Sequence, residues 1–560
     1  MNYDLKIVGG TIVDGSGKPG YAGDVGIKDG KIVALGAAPG DATQTIDADG
    51  KAVTPGFVDI HTHYDAQVVW DRMLTISPWH GVTTVVLGNC GFGVAPTRPH
   101  QRDLIVGTLE KVEGMSPATL NEGLGKDWPF ETFPEYLDAI EKIGTAINVG
   151  VLVGHTPTRL YVMGEEACER EANDDEIAQM REIVVEALNA GALGFATSKS
   201  PTHVGFKGKP VPSRVASLNE LETLASTLES RNGVMQVTAG KGFWFDEYEA
   251  LTRKYGMTIS WTAMLAGMAS PDAHLAQQQR SQELAEQGLA IVPQVTPRPL
   301  CFEFQFKEPF PFEALPVFKP ISSADFEGKK ALYADAEFRT AAKEKMDNVR
   351  PSFRLAWENS LISSCPSQPQ YEERTVIDVA TELDVHSLDL GFDLALENDL
   401  EARFRMPVAN ADENEVEKLI TDKNTVIGLS DAGAHASQLC DAGLPTYLLG
   451  HWVREKQVIA FEEAIRMLTS RPADVFGIRD RGLLQIGRPA DVLIIDPKTV
   501  HCGKLERVYD QPAGQDRLIA QAFGIESVIV NGTLLRQQGE DQLDPQGKLP
   551  GQLLRGGAAG

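Results

Sequence analysis

Eight short apolar runs, spread through the chain and separated by stretches of helical periodicity, constrain the fold more than any other feature. They occupy residues 52–63, 83–90, 147–155, 192–198, 234–240, 258–264, 290–296 and 426–433. Short apolar runs of this kind suit strands that are buried on both faces. Amphipathic stretches such as 176–190, 218–231, 246–255 and 274–287 have apolar residues three or four apart, as covering helices would. Eight parallel strands with helices around them make a (β/α)8 TIM barrel, an α/β fold. A doubly wound open sheet competes with it, but no G-x-G-x-x-G follows the first run.

The ends of the chain read differently. Residues 5–9, 11–14, 24–28, 31–35 and 44–47 form short strand patterns broken by Gly and Asp-Gly turns, too few to close a core alone. Matching patterns lie at 490–496 and 526–530, the latter followed by the Asn531-Gly532 turn signal. The expectation is a small β-sandwich domain built from 1–54 and 485–560, with the barrel at 55–484. A long insertion at about 297–425 separates the seventh and eighth runs and opens on CFEFQFKEPFPFEALP. An insertion leaving the C-terminal end of a barrel strand sits on the active-site face, so it reads as a substrate lid or an oligomerisation arm. Phe302, Phe304, Phe306, Phe310 and Phe312 are too apolar for a solvated loop, and require cover from the barrel, a bound acyl chain or another subunit.

Composition removes whole classes of function. Lys and Arg number 52 against 78 Asp and Glu, a formal charge of −26, which argues against a nucleic-acid partner. No window approaches a membrane span, and the opening MNYDLKIVGG lacks a basic, apolar leader pattern, so a cytoplasmic protein with no membrane partner is expected. The six cysteines are scattered without a C-x-x-C, which leaves neither a zinc ribbon nor a disulfide framework. Phosphate loops and G-x-S-x-G nucleophile elbows are absent as well.

The chemistry concentrates at run ends. In Val58-Asp59-Ile60-His61-Thr62-His63, alternation along a strand points His61 and His63 the same way, suited to sharing a metal ion at a barrel mouth. Cys90 ends the second run between glycines and reads as either a packed thiol or, beside a cation, a thiolate ligand. Asp431 closes the eighth run, which neighbours the first in a barrel. It could cap the strand, or reach both a metal and its water.

Taken together, TPGFVDIHTH, GNCGFG, GLSDAG and SRPADVFGIRDRGLLQIGRPADVLIIDP resemble the amidohydrolase superfamily of metal-dependent hydrolases. HTHYDAQ, the NCG cysteine, VGHTPTR and GFATSKS resemble its N-acyl-D-amino-acid deacylase (D-aminoacylase) branch more narrowly. The resemblance covers most of the chain outside the insertion. It implies that His61 and His63 are metal ligands, that Cys90 is the cysteine ligand replacing a bridging lysine, and that Asp431 is both ligand and general base.

One departure matters. The family carries a histidine after strand five in T-H-x-R and another after strand six in S-H-x-K, where this chain has Thr238-Ala239-Gly240-Lys241 and Ser260-Trp261-Thr262-Ala263. One Zn2+ per chain is therefore expected rather than two, with Trp261 filling the space of the lost imidazole and metal. His155, Lys199 and Arg298, which follow barrel strands, are the candidates for substrate binding, and His203 and His435 lie in similar places. The expected activity is hydrolysis of amide C–N bonds in a small molecule, such as an N-acyl (D-)amino acid. A cyclic amide, lactone or ester is the alternative substrate, and a catalytically degraded barrel kept for binding or assembly is the alternative of another class; on any of these readings the chain could form a homo-oligomer.

Overall fold

A computed structural model describes residues 2–556 except 232, 269 and 314. The chain divides into two compact units. One contains the chain up to Met264, Gln277–Arg298 and the chain from Glu417 onward; the other contains Leu265–Ala276 and Pro299–Val416.

In the first unit, all eight apolar runs supply strands to one parallel sheet. In chain order these are Phe57–Asp59, Val82–Leu87, Asn148–Gly154, Gly194–Ser198, Val234–Thr238, Thr258–Thr262, Ile291–Val295 and Val426–Ile427. The sheet curls until its two ends meet. A parallel bridge joins Thr62 to Ala432, the Asp431 N–H donates to the His61 carbonyl at 3.2 Å, and the His63 N–H donates to the Ala432 carbonyl at 2.8 Å. Val58, Ile60, Val86, Leu152, Ala196, Val234, Val292 and Val426 form one buried cluster across the barrel. Two residues further along the same strand faces, the apolar layer gives way to Gln236 and Gln294, with Ser260 between them on the sixth strand.

The first run divides at Gly56. Ala52–Pro55 pairs with the terminal strands, whereas Phe57–Asp59 opens the barrel. A side chain at Gly56 would stand 2.0 Å from the Thr83 hydroxyl, so only glycine permits this handover. Tyr3–Ile12 is a single bulged strand where two were expected, and it joins strands from both termini in a nine-stranded sheet with a core that includes Leu5, Ile7, Val25, Ile27, Val53, Val492 and Ile529. The C-terminal half of the expected sandwich is smaller than 485–560. His501–Gln511 and Gln515–Phe523 form a separate two-stranded hairpin. The final residues leave the sheet and return to the barrel, where the Leu554 N–H donates to the Val149 carbonyl at 2.7 Å.

The second unit corresponds to the insertion, with Leu265–Ala276 added to it. Its three-stranded antiparallel sheet runs Leu300–Gln305, Arg403–Ala409, Leu361–Ser364 in spatial order. Phe304, Phe306 and Phe312 are buried with Phe318, Tyr333, Trp357, Phe392 and Phe404 in the core of this unit. The expectation that a barrel, acyl chain or second subunit must cover them is corrected: the insertion has enough aromatic and aliphatic residues to cover them itself. Phe310 stays 42 % exposed. Among the described residues no helix is long and apolar enough to cross a membrane.

Candidate metal centre

The barrel seam brings the predicted ligands together. Ligand atoms of His61, His63 and Cys90 all lie within 4.8 Å of one another, and all three residues are buried. His61 Nε2 is 3.5 Å from Cys90 Sγ and 3.3 Å from Asp431 Oδ1, and His63 Nε2 is 3.6 Å from the same carboxylate oxygen. Two imidazoles, a thiol and a carboxylate offer nitrogen, sulfur and oxygen donors of the kinds zinc takes, so the residues present fit one such ion.

Local structure accounts for each placement. Cys90 has a left-handed backbone (φ 56°), which costs a side-chain-bearing residue about 1–2 kcal/mol. Its N–H donates to Gln236 Oε1 at 2.7 Å, which holds the turn in that conformation. The flanking glycines are required by space. A Cβ on Gly88 would come within 2.1 Å of the Leu152 carbonyl oxygen, and one on Gly91 within 2.8 Å of the Ala196 carbonyl oxygen. Asp431 is also left-handed (φ 45°), anchored through its N–H to His61, and the Ser430 hydroxyl donates to the same carbonyl at 3.1 Å.

Each imidazole has a partner on its other nitrogen. His61 Nδ1 is 2.7 Å from Gln294 Oε1, and His63 Nδ1 is 3.1 Å from Glu113 Oε1. A carboxylate or carbonyl behind a ligating histidine fixes its ring and raises its basicity. Burial alone would lower His63, but the adjacent Glu113 carboxylate and Asp431 hold it well above its ordinary range. Burial would likewise raise Cys90, and the imidazoles of His61 and His63 reverse that, bringing the thiol down to about 7. The same imidazoles hold Asp431 below the usual carboxylate range against its burial. Burial pushes Asp59 up to about 6 and Asp65 up to about 7.

Glu113, Gln236 and Gln294 were missed from the sequence. Glu113 follows the helix Arg102–Val112 and belongs to no motif. The glutamines did leave a signal, because VMQVT and IVPQV each bury an amide within an apolar parallel strand, where it must find a partner.

Trp261 does not fill the place of a lost ligand. Its ring packs edge-on against Trp244 and Phe245, at 5.0 and 5.5 Å, beside the helix Phe245–Tyr255. Its neighbours Ser260 and Thr262 point to the opposite face: the Ser260 hydroxyl accepts from Gln294 Nε2 at 3.0 Å and Thr262 Oγ1 from Gln236 Nε2 at 3.5 Å. Strand alternation turns position 261 outward.

The three candidates for substrate contact all have partners within the protein. His155 is fully buried, with Nδ1 2.8 Å from Thr197 Oγ1 and Nε2 2.8 Å from Glu220 Oε1, and Glu220 is also paired with Arg159. Both ring nitrogens are thus engaged away from solvent. Lys199 donates to the carbonyls of Arg214 and Ala216 at 2.8 and 2.7 Å, committing its ammonium to the loop after the fourth strand. Arg298 pairs with Asp441 at 3.3 Å and donates to the Cys440 carbonyl at 3.3 Å, which ties it to the segment after the eighth strand. His203 Nδ1 lies 2.7 Å from the Ser198 hydroxyl, and its ring packs 5.1 Å from Phe92. The His435 N–H donates to the Glu113 carbonyl at 2.5 Å.

The amidohydrolase family pattern matches residues 44–318 and 335–536. An uncharacterised Mycobacterium tuberculosis protein is 29 % identical over 538 residues, covering 89 % of this chain and 85 % of its own. The D-aminoacylase of Alcaligenes xylosoxydans xylosoxydans is 28 % identical over 539 residues, covering 96 % and 95 %. The crystal structure of the N-acyl-D-glutamate deacylase of Bordetella bronchiseptica, complexed with zinc and a phosphonate inhibitor, aligns with a TM-score of 0.64 at 27 % identity over 99 % of this chain and 100 % of that one. With its closed barrel, its terminal sheet and its seam of histidines, cysteine and aspartate, this chain belongs to the amidohydrolase family, in the D-aminoacylase-like branch.

Proposed function

We propose that the chain is a metal-dependent hydrolase of amide C–N bonds that deacylates an N-acyl (D-)amino acid or a related amide, using one zinc ion held by His61, His63, Cys90 and Asp431. The observation that carries this reading is the convergence of three buried ligand atoms within 4.8 Å, with Asp431 Oδ1 beside both imidazoles. The similarity to D-aminoacylase and to the zinc-bound N-acyl-D-glutamate deacylase supports the substrate class. A single ion is favoured because strands five and six present Thr238 and Thr262 towards the centre rather than imidazoles, and these hydroxyls lie 3.3 Å apart.

Zinc bound there would polarise the scissile carbonyl and make a bound water acidic near neutral pH. The chain's own groups handle the protons. Asp431 is ionised, and its side chain is 24 % exposed while both imidazoles are enclosed, so it is the group placed to meet substrate. Its carboxylate takes the proton of the attacking water and delivers it to the leaving nitrogen. Glu113 and Gln294 keep the two imidazoles in place throughout.

Elemental analysis with a panel of N-acyl D- and L-amino acids tests the proposal. The expected result is about one zinc per chain and chelator-sensitive release of a D-amino acid. Two tightly held metals would overturn the single-ion reading. Failure of the zinc-loaded protein to hydrolyse any amide would favour a barrel kept for binding.

A further inference from the structure

We infer that Gln294 is a positioning residue for the metal centre: its side-chain carbonyl fixes the proton of His61 on Nδ1 and thereby reserves Nε2 for the ion. This rests on the reading of His61 as a ligand, and it gives a function to a residue outside the ligand set.

Gln294 is fully buried on the seventh strand, one layer above the apolar filling of the barrel. Its amide is held at both ends, with Oε1 2.7 Å from His61 Nδ1 and Nε2 donating to the Ser260 hydroxyl at 3.0 Å. The eighth strand leaves room for it. A Cβ at Gly428 would lie 3.1 Å from Gln294 Oε1 and 3.4 Å from Ile60 Cγ1, so a side chain there would crowd the carbonyl.

A neutral imidazole carries one proton, and it can ligate only through the nitrogen that lacks it. Without an acceptor at Nδ1 the proton is free to sit on Nε2, 3.3 Å from the Asp431 carboxylate, which would favour the wrong tautomer. The Gln294 carbonyl removes that alternative before any ion arrives. The two ligating histidines are also held by different chemistry, His61 by a neutral amide and His63 by the carboxylate of Glu113. The amide orients without adding a further negative charge to a centre that already contains Cys90, Asp431 and Glu113.

The test uses the full-length protein and Gln294→Met, which keeps the length of the side chain but has no oxygen acceptor, with Gln294→Glu as the rescue. Zinc affinity is measured by chelator competition, and the site's symmetry by the visible spectrum after cobalt substitution. The Met variant should bind zinc about 10- to 100-fold more weakly with an altered cobalt spectrum. The Glu variant, which can only accept, should recover most of the affinity. Wild-type affinity in the Met variant, or equal loss in both variants, would overturn the inference. A wild-type protein that takes up no zinc would overturn the metal reading itself, and this inference with it.

Discussion

Asp431 sits within 3.6 Å of both imidazoles and at the open side of the cluster, so the proposed function asks one carboxylate to be both ligand and base. Substituting it separates those functions. Asp431→Asn keeps an oxygen donor but cannot take a proton at neutral pH, so kcat should fall by at least about 100-fold while elemental analysis still finds much of the zinc. His61→Ala combined with His63→Ala should instead strip the metal. Near wild-type turnover in the Asn variant would show that the proton travels elsewhere. The convergence of these four side chains was legible in the sequence because each lies at a run end next to glycine or in an alternating pair, and side-chain direction at a strand tip follows from the period of two. The same period, applied to Ser260-Trp261-Thr262, would have turned Trp261 outward. Position in a motif was read there in place of direction. The partners of Lys199 and Arg298 were not legible for another reason: which group a cation meets depends on carbonyls and carboxylates far away in sequence, such as Asp441.

Among the elements, the insertion changes most between sequence and structure. Its phenylalanines were rightly read as needing cover, but much of their cover comes from residues more than fifty positions later, such as Phe392 on Ser387–Glu397, and no local periodicity announces that pairing. Phe304 is 3 % exposed and lies within 6 Å of Phe306, Phe312 and Phe404. Phe304→Ser should therefore cost about 3–5 kcal/mol or more of local stability, seen as rapid proteolysis within 299–416. Because all four proposed ligands belong to the other unit, zinc content should hold. Unchanged protease resistance would mean that the aromatic cluster is not what holds the insertion together. The barrel strands were readable throughout, since each is a short apolar run with a defined end. The hairpin His501–Gln511/Gln515–Phe523 was not, because its strands mix charged and apolar residues without strict alternation.

For the whole molecule, His80 joins distant parts of the first unit. Its Nδ1 is 2.6 Å from Thr446 Oγ1 and its Nε2 3.0 Å from the Ala520 carbonyl, and burial lowers its pKa to about 4. The unfolded chain binds this proton near pH 6.5 and the folded one only near 4, so stability is fully present above the higher value and is lost as pH falls towards the lower. Between roughly pH 7.5 and 4.5 the loss through this one residue should be about 2 kcal/mol. Denaturation of the wild type and of His80→Gln at both pH values checks it, since the variant should lack that part of the acid sensitivity. An equal pH dependence in both would remove His80 as its source.

The barrel closes where Thr62 meets Ala432, and His61 and Ser430, hydrogen-bonded beside that joint, are 369 positions apart in the chain. The backbone bonds that complete the ring also set the spacing between His61, His63 and Asp431. A chain whose first and eighth strands have not yet met therefore has no site to load, however complete the rest of its barrel. Under the proposed function the circle must be joined before the chemistry exists, and an ion held at the joint would work as a rivet, linking the earliest strand of the barrel to its last.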